Sequence, residues 1–176
     1  DWKNDPNMIK TPYRVAKMFV NEITSGAYSA PPKLAVFPSS GYSGMVIEHG
    51  IEVNSLCSHH LLPFTGFCSL AYISKENGQV IGLSKLNRIV HWFAKRPQLQ
   101  EQLTRQIHDY LVNVFGDTVL GIAVYIEAEH MCVSMRGAED NSTMTTHYCS
   151  GAFLTNEMNS RDEFLRAIQI YKLGRK

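Results

Sequence analysis

The sequence predicts an α+β fold in which an antiparallel sheet is covered by helices on one face. Two features indicate this class. Short β-prone runs dominate residues 45–73 and return at 119–128, whereas apolar residues recur at helical spacing in other segments. The predicted order is one helix, several strands, two helices, further strands and a last helix. We expect these elements to form a single domain over residues 1–176.

The first helix is predicted to begin at Thr11, because Thr suits an N-cap and Pro12 suits the first helical position. It is predicted to end at Gly26. The strand-rich segment that follows is interrupted at Gly50 and again around residues 57–63. The apolar face of the first helix, which begins at Thr11, consists of Val15, Met18, Phe19 and Ile23.

Two further helices follow, separated by Arg96 and Pro97, since proline breaks a helix. A β-rich run then leads to His130. For the last helix, Ser160 and Glu163 have the spacing of a capping box. The apolar residues at helical spacing are Leu86, Ile89, Val90 and Phe93, then Leu99, Leu103, Ile107, Tyr110, Leu111 and Val114, and finally Phe164, Leu165, Ile168 and Tyr171.

Composition restricts the class of protein. The chain is 44% hydrophobic and 19% charged, which is typical of a soluble globular protein. Its formal net charge of +1 argues against a general nucleic-acid binder, and no run approaches the roughly 18 apolar residues of a membrane helix. The four cysteines make a poor disulfide framework in a domain of this size. We therefore expect no nucleic-acid or membrane partner, and a reducing compartment, by default the cytoplasm.

Histidine and cysteine are concentrated in two short clusters. Cys57, His59 and His60 lie within four residues, and His130 and Cys132 follow a predicted strand. The Cys-x-x-His spacing closes on one metal, and residues two apart on a strand share a face. The alternative is that the thiols are simply buried and the imidazoles are satisfied locally. Five such residues in two clusters favour a zinc site that leaves two histidines for proton transfer.

The sequence resembles the GTP cyclohydrolase I family in stretches that occur in family order and cover nearly the whole chain, from about residue 5 to 170. The stretches are residues 11–18 (TPYRVAKM), 57–60 (CSHH) with Pro63 and Gly66, 81–90 (IGLSKLNRIV), 96–104 (RPQLQEQLT), 130–132 (HMC) and 135–137 (MRG).

The resemblance implies a tunnelling fold, in which a four-stranded antiparallel sheet carries helices on one side and five subunits close a barrel. Two such rings stack into a homodecamer with active sites between subunits, so an isolated subunit should be inactive. The family's N-terminal helices would precede Asp1. The implied reaction converts GTP and water into formate and 7,8-dihydroneopterin triphosphate, the first step of pterin and folate biosynthesis.

The resemblance also implies the roles of the clustered residues. Cys57, His60 and Cys132 would be the ligands of Zn²⁺, and His59 and His130 would be the acid/base pair. Histidine suits proton transfer because its pKa lies near neutrality. Which histidine performs which step stays open.

The remaining implied residues bind GTP. Glu101, with Gln100, would read the guanine edge, because a carboxylate matches the N1–H and amino donors that adenine lacks. The implied ribose and phosphate contacts are Ser84, Lys85, Arg88, Arg136 and Arg14. Without the resemblance, the residues of both groups have simpler interpretations, such as helix caps and exposed helix faces.

One position departs from the family pattern, since most members have Glu where this chain has Ser58. The loss of a negative charge beside the cluster leaves two alternatives open. One is an enzyme of the same fold with another substrate, such as the NADPH-dependent nitrile reductase of queuosine synthesis, which lacks catalytic zinc. The other is a non-catalytic scaffold that binds zinc and GTP. The intact Cys57, His60 and Cys132 oppose the first, and two additional histidines oppose the second.

Overall fold

The computed structural model describes residues 2–174. The strands are β1 Val36–Pro38, β2 Met45–Cys57, β3 Pro63–Ser74, β4 Gln79–Ile81, β5 Pro97–Gln98, β6 Val119–His130 and β7 Thr143–Gly151. The α-helices are α1 Thr11–Met18, α2 Leu83–Ala94, α3 Gln100–Phe115, α4 Met131–Ser134, α5 Ala152–Thr155 and α6 Ser160–Leu173. The order of the main elements matches the order predicted from the sequence.

The main sheet has the order β5-β2-β3-β6-β7. Its four long strands are antiparallel, as expected. The fifth strand, β5, has only two residues and pairs in parallel with the end of β2, where Leu56 is opposite Pro97 and Cys57 is opposite Gln98. No sequence pattern indicated this strand, because two residues are too few to show a period.

The helices α2 and α3 cover one face of the sheet. Alternate residues of the strands point to this face, and they pack against the apolar stripes of both helices. Fully buried examples are Leu70 of β3 and Val124 of β6, which join Leu86 of α2 and Leu103 of α3 in one core. This layer agrees with the predicted arrangement.

The C-terminal helices pack against the opposite face, so the prediction that helices cover only one face is wrong for this end of the sheet. Phe153 of α5 and Phe164 of α6 form a second core with the strand residues Ala71, Ile73 and Ala123. The two alanines are small enough to let helices approach this face closely.

The predicted capping box at the start of α6 does not form. Ser160 lies inside the helix and its hydroxyl donates a hydrogen bond of 2.8 Å to Ala152 O. The first turn is instead held by Asn156, whose Oδ1 accepts from the Arg161 backbone N–H at 3.1 Å. The tertiary contact with α5 therefore outweighs the local capping pattern.

The first helix begins at Thr11, as predicted, and continues as one π-helical turn over Phe19–Ile23. None of the residues of α1 is buried, and its apolar residues Val15 and Met18 are largely exposed. The predicted apolar face is therefore covered only in part by the described residues: Phe19 and Ile23 are half-buried, whereas Val15 and Met18 are exposed. Among the described residues, no helix combines the length and apolar character needed to cross a bilayer.

Candidate metal centre and active site

The first cluster lies in the tight loop between β2 and β3. The Cys57 N–H donates to Leu62 O at 2.8 Å, and the Leu61 N–H donates back to Cys57 O at 2.8 Å. Leu61 adopts a left-handed conformation with φ 54°, which turns the chain into Pro63. The Ser58 N–H donates to Gln98 O at 3.0 Å, so β5 clamps the loop from outside. These bonds fix the backbone that carries Cys57, His59 and His60.

The second cluster reaches the same end of the sheet because β6 pairs with β3. Phe64, the second residue of β3, is directly opposite His130, the last residue of β6. The chain then enters the short helix α4, so Cys132 lies on a helical turn and not on a strand. The prediction that His130 and Cys132 share a strand face is therefore wrong, although Cys132 does reach the first cluster.

Cys57, His60 and Cys132 form a compact group of metal-binding atoms. One ligand atom from each lies within 4.8 Å of the others, and Cys57 Sγ is 3.8 Å from His60 Nδ1. Cys57 is buried, Cys132 is half-buried and His60 is exposed. Among residues 2–174, no fourth His, Cys, Asp or Glu belongs to this group. Three protein ligands are typical of a catalytic zinc site, whereas structural sites use four.

The chemistry of the two thiols fits a bound cation. Burial raises the pKa of the Cys132 thiol, and the adjacent Cys57 raises it further. Two thiolates this close repel each other unless a positive ion neutralises them, and zinc deprotonates coordinating thiols. All four cysteines are free thiols, so Cys57 and Cys132 remain available as ligands.

His59 and His130 lie beside this group. The His59 ring is exposed and meets the His60 ring edge to face, with centroids 6.0 Å apart. The His130 ring is half-buried and stacks on Phe64, with centroids 4.6 Å apart and planes 10° apart. Burial lowers the pKa of His130, while the nearby Glu101 carboxylate acts in the opposite direction. Both histidines thus adjoin the thiol cluster without belonging to it.

The Gln100 side chain lies inside the protein, in contact with His130. Its side chain is 1% exposed, and Oε1 lies 2.8 Å from His130 Nε2. Its amide nitrogen bonds to Ile126 O and Met144 O. Within one chain, the hydrogen-bonding groups of the Gln100 side chain are therefore used inside the protein, and its part in reading guanine stays a prediction.

Glu101 and Arg136 are at the same end of the sheet as the cluster. Glu101 is exposed in the first turn of α3 and is close enough to influence the pKa of His130. Arg136 is exposed just after α4 and acts electrostatically on Cys132. Their side chains are therefore available to a ligand that approaches the cluster.

Ser84 and Lys85 are far from the cluster within one chain. The helix α2 runs alongside β2, since Asn87 bonds to Glu48 near the start of β2. Cys57 lies nine residues further along that strand, which corresponds to roughly 25–30 Å. Ser84, Lys85 and Arg88, at or near the N-terminal end of α2, are consequently separated from the cluster by most of the length of the sheet.

Arg14 is likewise occupied elsewhere. Its guanidinium group donates hydrogen bonds to Asn7 O and to Thr11 Oγ1, both in its own N-terminal segment. The structure therefore brings Glu101 and Arg136 to the cluster but does not bring Arg14, Ser84, Lys85 or Arg88 there within one chain.

Sequence reasoning missed several residues that support the site. Phe64 stacks on His130, Gln98 clamps the loop through its carbonyl, and Thr104 and Thr146 hydrogen-bond to Gln100. A signal for the inward side of α3 was present, because Gln100, Leu103, Thr104 and Ile107 have the spacing of one helix face.

Comparison with known proteins identifies similar chains. The family model for GTP cyclohydrolase I matches residues 1–169. A GTP cyclohydrolase 1 of Blochmanniella pennsylvanica is 43% identical over 164 residues, which cover 92% of this chain and 72% of that protein. A GTP cyclohydrolase 1 of Klebsiella pneumoniae subsp. pneumoniae is 43% identical over 168 residues, covering 94% of this chain and 74% of that protein. A GTP cyclohydrolase 1 of Salmonella choleraesuis is 41% identical with the same coverage.

The metal assignment predicts the effect of removing one thiol. Loss of a residue that only hydrogen-bonds to a metal ligand weakens metal binding by about 10- to 100-fold. Replacing Cys132 with alanine should weaken zinc binding by more than this, because a direct ligand is removed. Cys149→Ala is the matched control, since Cys149 is also a half-buried free thiol but lies outside the group. Zinc per chain is measured by mass spectrometry after dialysis against a weak chelator. Equal zinc content in the two variants would contradict the assignment.

Proposed function

The chain belongs to the GTP cyclohydrolase I family, and from this premise we propose that it converts GTP and water into 7,8-dihydroneopterin triphosphate and formate. The reaction consumes one net water, removes C8 of the guanine as formate and rebuilds the six-membered pterin ring with ribose carbons. The observation that carries the proposal is the convergence of Cys57, His60 and Cys132 beside two further histidines. This reaction is the first step of pterin and folate biosynthesis.

Zinc is the metal that we propose for the Cys57, His60 and Cys132 group. Zinc prefers thiolate and imidazole ligands, and the group offers two thiols and one imidazole. When bound, zinc supplies the Lewis acidity that makes water a strong nucleophile near neutral pH. The backbone bonds of the β2–β3 loop hold two of the ligands in place before the metal arrives.

His59 and His130 are proposed to move the protons. Opening the imidazole ring of guanine requires a proton on a ring nitrogen, and opening the ribose requires one on its ring oxygen. Both histidines lie next to the metal ligands, and His130 is held between Phe64 and Gln100. A fixed imidazole beside the reacting atoms is the arrangement that general acid–base catalysis needs.

Glu101 is proposed to recognise the guanine edge. Its exposed carboxylate in the first turn of α3 lies near His130. A carboxylate can accept both the N1–H and the amino group of guanine, whereas adenine would leave it unpaired. Arg136, close to Cys132, would then contact the phosphate chain from the same subunit.

We propose that the substrate site is completed by another copy of the chain. Asn87, on the same helix as Ser84, Lys85 and Arg88, contacts Glu48, and the strand from Glu48 to Cys57 spans roughly 25–30 Å, which is longer than a nucleoside triphosphate. If these residues bind the triphosphate, they must come from a neighbouring subunit. The uncovered apolar residues of α1 are consistent with a homo-oligomer, for which the family suggests two stacked pentamers. A cytoplasmic location stays a prediction.

Neither alternative from the sequence is favoured by a specific observation. A nitrile reductase would use one cysteine as a nucleophile, whereas Cys57 and Cys132 lie together with His60 in a ligand-like group. A non-catalytic scaffold would not need His130 held on both sides by Phe64 and Gln100. The identity of the reaction is therefore best tested directly.

Replacing His130 with alanine should lower formate release by about 10²- to 10⁴-fold, the usual contribution of an acid/base group. Purified protein is incubated with GTP, and the pterin is detected by fluorescence after oxidation. Chelation should abolish turnover and zinc should restore it. His147→Ala, which removes an exposed histidine of β7 outside the cluster, is the control and should remain active. Undiminished formate release by the His130 variant would refute its catalytic role.

A mixing experiment tests the shared site. His130→Ala and Lys85→Ala variants should each be nearly inactive at GTP concentrations below KM. When the two variants are co-expressed and assemble at random, up to about a quarter of wild-type activity should return. A shared site is intact only when one chain supplies His130 and a neighbouring chain supplies Lys85, and each of these conditions is met in about half of the cases. As the control, the two variants are purified separately and mixed under conditions where the oligomers do not exchange subunits, and this mixture should stay inactive. No recovery in co-assembled oligomers would show that each chain builds its own site.

A further inference from the structure

We propose that Gln100 is a positioning residue that holds the His130 imidazole in one tautomer, with the proton on Nε2 and Nδ1 left to exchange a proton with the substrate. This inference rests on the proposed function insofar as His130 takes part in catalysis. The tautomer itself is a property of the folded chain. It is a role distinct from the guanine recognition that the sequence suggested for Gln100.

The orientation of the Gln100 amide is fixed by its acceptors. Its Nε2 lies 3.0 Å from Met144 O and 3.2 Å from Ile126 O. Backbone carbonyl oxygens only accept hydrogen bonds, so the NH₂ group must face them. A flipped amide would place Oε1 against two oxygen atoms in a site where the side chain is 1% exposed. Burial makes that arrangement costly, because unpaired polar groups lose their water.

The two threonines give the same orientation independently. The Thr104 hydroxyl donates to Gln100 O at 2.8 Å, which uses its only hydrogen. The Thr104 and Thr146 hydroxyl oxygens are 2.6 Å apart, so Thr146 must be the donor of that pair. Thr146 Oγ1 can then only accept from Gln100 Nε2, which is 3.2 Å away. The two amide hydrogens of Gln100 are shared among three acceptors, and all three lie on the side where the NH₂ group is placed.

The tautomer of His130 follows from this network. Gln100 Oε1 is only an acceptor, and it lies 2.8 Å from His130 Nε2. Nε2 must therefore carry a hydrogen, and in the neutral ring Nδ1 carries the lone pair. Among residues 2–174, no group hydrogen-bonds to Nδ1. Nδ1 is consequently the ring nitrogen that can accept or deliver a proton at the substrate.

The ring is also prevented from turning to present Nε2. Phe64, which is fully buried, stacks on His130 with planes 10° apart. The stack opposes intermediate rotations, whereas a 180° flip would keep the stack but put a ring carbon opposite Gln100 Oε1 and lose that hydrogen bond. Outer residues that orient an active imidazole in this way commonly contribute about 10- to 100-fold to activity.

The test compares Gln100→Met with Gln98→Met. Methionine keeps the length of glutamine, but its thioether is only a weak acceptor for the hydrogen on Nε2 and cannot donate to the two carbonyls. Gln98 is the matched control, because it is also a buried glutamine, 3% exposed, whose amide bonds to Phe93 O and to Gln106 Oε1. The Gln98 side chain does not touch His130, and its backbone carbonyl, which clamps the loop, is unchanged by the substitution.

The primary measurement is solid-state ¹⁵N NMR of the zinc-loaded, histidine-labelled oligomer at a pH where His130 is neutral. The His130 signals are assigned by their loss in His130→Asn. We expect a protonated Nε2 and an unprotonated Nδ1 in the wild type and in Gln98→Met, and a mixture of tautomers in Gln100→Met. A wild-type ring with its proton on Nδ1 would overturn the proposal, whether or not the protein turns over GTP.

The second measurement separates positioning from substrate contact. For Gln100→Met we expect kcat for GTP to fall by about 10- to 100-fold with KM and zinc content little changed. Gln98→Met serves as the control for the tautomer and not for kcat, because the Gln98 carbonyl supports the loop that carries the cluster. An unchanged kcat with a raised KM would overturn the proposal, because it would show that Gln100 acts by binding GTP. Absence of turnover in the wild type would refute the proposed function and leave the NMR test standing.

Discussion

The site depends on the backbone pairing that aligns the ends of three strands. Leu56 at the end of β2 is opposite Pro63, and Phe64 of β3 is opposite His130 at the end of β6. This register places the β2–β3 loop and the short helix α4 at the same end of the sheet. Cys57 and Cys132, 75 positions apart in the sequence, meet there for that reason. A shift of one residue in either pair would turn every side chain to the other face.

The same architecture separates the metal group from part of the predicted substrate site. Because α2 lies alongside β2, a helix that begins near Glu48 cannot place its first turn beside Cys57. If Lys85 and Arg88 bind the substrate as proposed, the chain carries two partial sites in different parts of one sheet, one with the Cys57, His60 and Cys132 group and one with these basic residues. Assembly of copies would join them. An active site made in this way links catalysis to oligomerisation without any moving part.

Much of this arrangement could be predicted from the sequence, for identifiable physical reasons. Long elements such as β3 and α3 have strong periodicity, and the Cys-x-x-His spacing is a local signal. Tertiary effects were harder to predict. The helical turn that carries Cys132 is only four residues long, and the contact of Ser160 with Ala152 replaces a cap that looked correct locally. The inward position of Gln100 could be predicted from its spacing with Leu103 and Ile107, whereas its bond to His130 depends on the tertiary structure.

The most direct test of the account is zinc K-edge X-ray absorption of the purified, zinc-loaded protein. We expect one zinc per chain with two sulfur ligands, the remaining ligands being nitrogen or oxygen, and a change in the spectrum when GTP binds. A zinc environment without sulfur, or one with more than two sulfur ligands, would contradict the assignment of Cys57, His60 and Cys132 as a metal centre that stays open to the substrate.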